Sequence, residues 1–253
     1  MTPHAALLLA QIHGSQGVDE VFVDGLYRLA IDADAPEWLP VALTQLGLRK
    51  YSRDGATDEA VSLLRRAGAA GHSEAGAEAA WILGRLLEDR EDFNGAIQAY
   101  RAAIVAGHPD FTPAAHSSLG QLYGIMNQTG LAMRHLELAY NSKHPEYRLE
   151  AAFHLGLLHY WFGRFRNAAA VFREVVSGRH PGLWPHASVL LGRMCKELGD
   201  VRGAAEAWRT VASSGIGPAA SEAMAELREL GEALAKHEEP FSNGPDEDEG
   251  ISL

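Results

Sequence analysis

Apolar and polar positions alternate along this chain with the period of an α-helix. In one segment, Ala80, Leu83 and Leu87 recur at spacings of three and four, which places them on one helical face. A charged stretch at 88–92 interrupts the pattern, and a second apolar face of the same period begins at Ala96. The segment therefore predicts two helices joined by a short turn.

The two-helix pattern returns every 36 residues. A Leu-Gly pair, a later alanine and a large apolar residue four positions beyond that alanine keep the same phase through four units. Because these columns agree independently, they predict a tandem array of helix pairs rather than a single globule. The glycines are Gly84, Gly120, Gly156 and Gly192, the alanines are Ala96, Ala132, Ala168 and Ala204, and the large residues are Tyr100, Leu136, Phe172 and Trp208.

Weaker copies of the pattern extend the array toward both ends. Leu46, Gly47 and Ala60 restore the columns with one residue of slippage, which adds a fifth repeat. Atypical terminal repeats are expected, since an end repeat exposes one face to water. The predicted segments are a degenerate helical repeat at 1–36, five tandem repeats at 37–216, a capping helix at 217–237 and a disordered acidic tail at 238–253.

Each glycine of the repeat lies inside a predicted helix, where it costs about 1 kcal/mol relative to alanine. Its return in every repeat predicts the close approach of a neighbouring helix backbone. We expect Gly84 to pack against the small Ala96, while Tyr100 fills the space between repeats.

The ends of the predicted helices carry their own signals. Gly163 and Gly199 fall in turns between paired helices, where a left-handed residue ends the first helix. Pro113 falls at the start of a first helix, which suits proline because the N–H that it lacks has no helical partner there. Thr112 is the expected N-cap of that helix.

These motifs resemble the tetratricopeptide repeat family. The family pattern has Leu-Gly in the first helix, Ala early in the second, an aromatic residue four positions later and Ala three after that. Leu83, Gly84, Ala96, Tyr100 and Ala103 reproduce it. The period of 36 exceeds the usual 34, and the ends of the units also resemble Sel1-like repeats. The resemblance implies an all-α fold, a right-handed α-solenoid of stacked antiparallel helix pairs.

The same resemblance implies that the first helices line a concave groove for a peptide or partner protein. Aromatic and arginine side chains are the usual anchors of such interfaces. The Lys and Asn clamp that some family members use on chaperone carboxylates is absent at the matching positions, which include Val41, Glu78 and Leu48. The expected groove residues are Tyr51, Trp81, Arg85, Gln121, Phe153, Tyr160, Trp161, Arg193 and Lys196, with Thr44, Ser117 and Val189 among further outward positions.

Charge and composition narrow the range of partners. The net charge of −11, from 33 acidic and 22 basic residues, argues against a nucleic-acid binder, which needs a basic face. No apolar run approaches the roughly 18 residues that cross a bilayer, so no membrane partner is expected. The single cysteine, Cys195, and a start that fits a helix better than a signal peptide favour the cytoplasm.

No catalytic motif is present, so we expect neither enzymatic activity nor a cofactor. Cys195 lies within a first helix and is expected to be a buried structural thiol. Histidines stacked one repeat apart do not converge on one ion, and therefore no metal site is expected. They are His72, His108, His144 and His180.

The leading functional hypothesis is a scaffold or adaptor that binds a protein or peptide partner in the groove. A second hypothesis is a regulatory subunit or assembly chaperone that binds through edges or the outer face, and a remote one is a small-molecule sensor or enzyme. The sequence is also compatible with a homo-oligomer. The acidic tail at 238–253 is expected to be solubilising, or to fold back on Arg193, Lys196 or Arg85.

Overall fold

The computed structural model describes residues 1–17, 19–69 and 73–238, and every regular element within them is an α-helix. The prediction of an all-α repeat fold is confirmed. The helices are α1 (Pro3–Ser15), α2 (Glu20–Asp32), α3 (Leu39–Asp54), α4 (Asp58–Ala69), α5 (Ser73–Asp89), α6 (Phe93–Ala106), α7 (Phe111–Ile125), α8 (Thr129–Tyr140), α9 (Pro145–Trp161), α10 (Phe165–Gly178), α11 (Trp184–Glu197), α12 (Val201–Ala212) and α13 (Gly217–Glu238).

The chain divides into two compact units, Met1–Leu155 and Gly156–Leu253, called unit 1 and unit 2 below. In unit 1, each helix from α1 to α7 packs against the next one in the chain. The odd-numbered helices α3, α5 and α7 also contact one another in succession. This is the arrangement of stacked helix pairs, in which the first helices form one layer of the unit.

Unit 2 begins within α9 and uses the same packing. Helices α10, α11, α12 and α13 contact one another in chain order, and α13 also reaches α11. Ala219, Ala220, Ala223 and Leu230 form the buried side of α13. The last helix thus packs an apolar face against its neighbours, and its role as a cap stays a prediction. The predicted tail, apart from Glu238 at the end of α13, lies outside the described residues, as does His72.

The glycine column has a different neighbour from the one expected. A Cβ at Gly84 would come within 3.0 Å of the Tyr100 ring, and Gly120, Gly156 and Gly192 face the large residue of their own repeat in the same way. Ala96 is fully buried but is not among the nearest neighbours of that Cβ position. The large residue of the second helix crosses beneath the first helix, and only glycine leaves the room for it.

Helix ends follow the sequence signals with one exception. Gly163 and Gly199 adopt the left-handed conformation, with φ of 66° and 76°. The prediction of turn glycines is confirmed, because this conformation favours residues without a Cβ. The expected N-cap at Thr112 is wrong: α7 already begins at Phe111, and the Thr112 N–H donates to the His108 carbonyl at 2.9 Å. Helical hydrogen bonding therefore starts before the threonine.

Candidate functional site

The first-helix layer of unit 1 contains a cavity of about 340 Å³. Three first helices, α5, α7 and α9, supply most of its lining, and one residue comes from the second helix α6. This volume lies at the lower end of the range of about 300–1,000 Å³ found for ligand pockets. The lining residues are Trp81, Arg85, Glu88, Tyr100, Ser118, Gln121, Glu146, Tyr147 and Glu150.

One wall of the cavity is a face of α5. Trp81, Arg85 and Glu88 are spaced at four and three residues, so they share one side of the helix. The indole Nε1 of Trp81 donates to the Ser118 hydroxyl of α7 at 3.2 Å, which fixes the orientation of the ring. The Arg85 guanidinium lies over that ring, 5.3 Å from its centroid. Trp81 therefore both packs between repeats and presents a surface to the cavity.

The cavity floor contains the hydroxyl of Tyr100. This side chain comes from α6, passes Gly84 and is fully buried. Its hydroxyl lies beside Glu88 and Ser118 but makes no hydrogen bond of normal geometry with either of them. Burial raises the pKa of Tyr100, and the neighbouring Glu88 carboxylate raises it further, so the hydroxyl is neutral at physiological pH.

Glu88 lies beside this hydroxyl and is also incompletely paired. Burial raises the pKa of Glu88, while the Tyr100 hydroxyl and the Arg85 charge partly offset that effect. The two groups therefore influence each other electrostatically. However, the buried Glu88 Oε1 and the Tyr100 hydroxyl each lack a hydrogen bond of normal geometry.

The start of α9 closes the cavity. The Tyr147 ring meets the Trp81 ring edge to face, with centroids 6.1 Å apart and an interplanar angle of 71°. Burial raises the pKa of Tyr147 to about 12, with added effects from the Glu146 and Glu150 carboxylates. Ser117 donates to Glu150 Oε2 at 3.4 Å. This side of the cavity is aromatic and acidic.

Two further groove residues predicted in unit 1 lie outside the cavity. The Tyr51 hydroxyl donates to the Asp89 carboxylate, and burial together with that carboxylate raises the pKa of Tyr51 to about 12. Phe153 is partly buried, with its ring 5.5 Å from the ring of His154. The structure thus brings Trp81, Arg85 and Gln121 to one cavity and places Tyr51 and Phe153 elsewhere.

Solved structures of other proteins resemble this chain in backbone at low sequence identity. YrrB, a TPR protein with an unusual peptide-binding site, is 18% identical and gives a TM-score of 0.57 over 80% of this chain and 97% of YrrB. The C-terminal part of a TPR repeat-containing protein from Cytophaga hutchinsonii is 16% identical, with a TM-score of 0.64 over 93% of this chain and 87% of that one. PilW, a widely conserved type IV pilus biogenesis factor, is 16% identical, with a TM-score of 0.61 over 90% of this chain and 97% of PilW. The chain has the tetratricopeptide repeat fold.

Sequence comparisons add nothing to this structural likeness, since no family model and no curated protein matches the chain. At these identities the likeness establishes the tetratricopeptide fold and leaves function to be argued from sites. Among the residues that the structure describes, none of the helices combines the length and the apolar character that crossing a bilayer requires.

In unit 2, the predicted aromatic groove residues lie at the end of α9. Trp161 is 78% exposed and Phe162 is 53% exposed, while Tyr160 contacts Trp161 with ring centroids 5.9 Å apart. Tyr160 also lies 6.2 Å from the Phe165 ring at the start of α10. The expectation that one of the two adjacent aromatics is exposed is confirmed by Trp161.

Arg193 and Lys196 of unit 2 are paired within the tetratricopeptide fold itself. Arg193 donates from Nε to Glu226 and from its terminal nitrogen to Glu222, both at 2.7 Å. Lys196 Nζ lies 3.9 Å from Glu226. Two carboxylates of α13 thus pair with Arg193 and Lys196, two of the basic residues on which the acidic tail was suggested to fold back.

Three of the outward positions assigned from the repeat pattern are buried. Thr44 and Ser117 have relative exposures of 0% and 1%, and Val189 has 2%. The Thr44 hydroxyl donates to the Pro40 carbonyl at 2.8 Å, which removes it from any ligand-facing role. These assignments are wrong because first helices contact the next repeat as well as their own partner helix. The prediction of a buried Cys195 is confirmed.

Five cavity residues were not expected from the sequence: Tyr100, which was assigned to packing, Ser118 of α7, and Glu146, Tyr147 and Glu150 at the start of α9. The sequence contains a signal for Glu146. Acidic residues recur at the same repeat position in Glu74, Asp110 and Glu146, each 36 residues from the next. No pattern along the chain indicates that the hydroxyl of Tyr100 reaches the first-helix side.

Proposed function

We propose that this protein is a protein-interaction scaffold that binds a peptide or a partner segment on the first-helix layer of unit 1. The observation that carries this proposal is the cavity to which α5, α7 and α9 each contribute side chains. Its lining combines aromatic surface with fixed polar groups, as in sites that bind ligands with defined orientation. Trp81 and Arg85 belong to the residue types that dominate interface energies.

Two structural neighbours support the general role. YrrB is a TPR protein with an unusual peptide-binding site, and PilW is a type IV pilus biogenesis factor. The likeness to these two proteins makes a protein or peptide the natural class of partner to test here. We further propose that the protein is not an enzyme, that it uses no cofactor and that it is located in the cytoplasm.

The proposal is tested by partner purification with matched variants. The full chain, Trp81→Ala, Gln121→Ala and Arg134→Ala are used as baits, with bound proteins identified by mass spectrometry. Arg134 is an exposed residue of the second helix α8 and serves as the control. A partner retained by wild type and Arg134→Ala but reduced at least about tenfold by the two cavity variants supports the site, since hot-spot truncations cost about 2 kcal/mol or more.

The captured partner is then purified and its binding to the same four proteins is measured directly. Unchanged helicity in circular dichroism establishes that each variant is folded. If Arg134→Ala abolishes binding while Trp81→Ala and Gln121→Ala retain it, the partner uses the second-helix face and the proposed site is wrong.

A further inference from the structure

The lining of the unit 1 cavity carries an excess of negative charge. Among the residues that line it, Glu88, Glu146 and Glu150 carry carboxylates, and Arg85 is basic. Glu146 is exposed at the mouth, while Glu88 and Glu150 are partly buried. Carboxylates in a site with low water content act on one another and on ligands more strongly than at an open surface. Such a lining favours a cationic group.

The floor of the cavity contains two buried polar atoms, the Tyr100 hydroxyl oxygen and Glu88 Oε1, which lie beside each other but have no hydrogen bond of normal geometry within the described residues. Each such atom costs about 1–3 kcal/mol when it is left unpaired, and native structures leave few of them. The Tyr100 ring is packed against Gly84. Both atoms accept hydrogen bonds, so a group with several N–H donors satisfies them together.

Arg85 does not supply those donors. Its guanidinium lies over the Trp81 ring, and Arg85 is exposed. Because Glu88 Oε1 has no hydrogen-bond partner, Arg85 acts on it only through space. The cavity floor therefore keeps its capacity to accept from a second cation.

The walls suit an apolar stem that ends in a charge. The Trp81 and Tyr147 rings meet edge to face at 6.1 Å. Aromatic faces attract cations and also pack against methylene groups, as lysine and arginine side chains require. The volume of about 340 Å³ fits one long side chain rather than a large cofactor.

We infer that this cavity binds the cation of a lysine or arginine side chain that a partner peptide inserts between α5, α7 and α9. The inference rests on the proposed function and specifies its partner as a peptide with a basic anchor. The inserted N–H groups donate to Glu88 Oε1 and to the Tyr100 hydroxyl, while the methylenes lie against Trp81 and Tyr147. An acidic side chain is repelled by the three glutamates, and an apolar one leaves both floor atoms unpaired.

The test is a selection of peptides from a phage-displayed random library against the immobilised full chain. Enriched peptides are sequenced after parallel selections on wild type, Glu88→Gln, Tyr100→Phe and Glu137→Gln. Glu137 is an exposed carboxylate of α8 and provides the charge-matched control. Tyr100→Phe keeps the ring against Gly84 and removes only the hydroxyl.

We expect wild type and Glu137→Gln to enrich peptides with Lys or Arg at one defined position. For a selected peptide, replacing that residue by norleucine is expected to weaken binding about tenfold or more, as for other buried charge pairs. In Glu88→Gln the basic peptide loses about tenfold in affinity, and the norleucine peptide binds as it does to wild type. The Tyr100→Phe variant binds the basic peptide more weakly although its urea midpoint is unchanged or higher.

Failure of the basic anchor can be distinguished from failure of the proposed peptide-binding function. Selected peptides without a basic position, or an equal preference for Lys and norleucine, overturn the basic anchor while peptide binding stands. Equal affinity of the basic peptide for wild type, Glu88→Gln and Tyr100→Phe overturns it as well, since water then satisfies the floor atoms. If wild type enriches no peptide at all, the proposed function fails and the basic anchor fails with it.

Discussion

At the scale of single residues, a glycine in the first helix decides what its partner helix can place beneath it. Gly84 and Gly156 occupy the same repeat position, but the ring beneath the first is Tyr100 and the ring beneath the second is Phe172. Only the tyrosine adds a hydroxyl that reaches the cavity floor. The same contact between a glycine and a ring therefore places a polar group at the cavity in the repeat of Gly84 and only apolar atoms in the repeat of Gly156.

The first prediction concerns this packing. Gly84→Ala is expected to lower the free energy of unfolding by about 1–3 kcal/mol, because the added methyl collides with the buried Tyr100 ring. Gly25→Ala is the matched control, since Gly25 is also inside a helix and has nothing within 4 Å of its Cβ position. It is expected to gain up to about 1 kcal/mol from helix propensity. Urea unfolding of both variants measures the difference, and equal gains at both sites would contradict this account of the column.

At the scale of an element, α13 covers the end of unit 2 by apolar and ionic contacts. Ala219, Ala220 and Ala223 are buried against the preceding helices, while Glu226 pairs with Arg193 at 2.7 Å. The ion pair is partly exposed and contributes little by itself. The buried alanine side therefore holds most of the helix in place.

The second prediction separates the two sides of α13. Ala223→Asp places a carboxylate without a partner at a fully buried position, and we expect α13 to detach from its neighbours at a cost of about 2 kcal/mol or more. Ala225→Asp makes the same change on the exposed side of the helix. Hydrogen–deuterium exchange is expected to accelerate about 30-fold in α13 of the first variant and to stay unchanged in the second. Equal protection in both variants would show that α13 is not docked.

At the scale of the folded chain, unit 1 contains histidines that the fold keeps neutral. His116 and His135 approach at 2.9 Å between their Nδ1 atoms, with the Tyr123 ring stacked on His135. Burial lowers the pKa of His116 to about 4, and His135 opposes its protonation as well. Burial also lowers the pKa of His135, to which the charges of Arg134 and Arg101 contribute.

The third prediction follows from these shifts. Burial lowers the pKa of His154 to about 4 too, so between pH 6.5 and 4 the unfolded chain binds more protons at His116 and His154 than the folded one. Their contribution to stability is therefore complete at pH 7 and decreases as the pH falls through that range. We expect a loss of about 1–2 kcal/mol per histidine at pH 5.

Denaturant unfolding at pH 7 and pH 5 measures this effect. Replacing His116 or His154 by leucine is expected to reduce the difference between the two pH values. His186→Leu, at an exposed position, is expected to retain it. The account is wrong if His186→Leu reduces the pH dependence as much as the two buried substitutions do.

The sequence predicted more of the fold than of the candidate site. Helical periodicity and the glycine and alanine columns were sufficient for the all-α repeat fold, because each signal is local to one helix or one helix pair. Trp81, Arg85 and Gln121 were assigned to the first-helix side from their phase in the repeat, and they line the same cavity. Their role in partner binding stays a prediction.

The sequence by itself determined that the chain folds into paired helices and that Cys195 is buried. The tertiary structure alone decided that the hydroxyl of Tyr100 and the carboxylates of Glu146 and Glu150 meet at one cavity, and that α13 neutralises Arg193. The physical reason is that the period of the apolar pattern shows only which side of its own helix a residue lies on. Which groups meet across helices depends on the distance and angle between elements, and no repeat period contains that information.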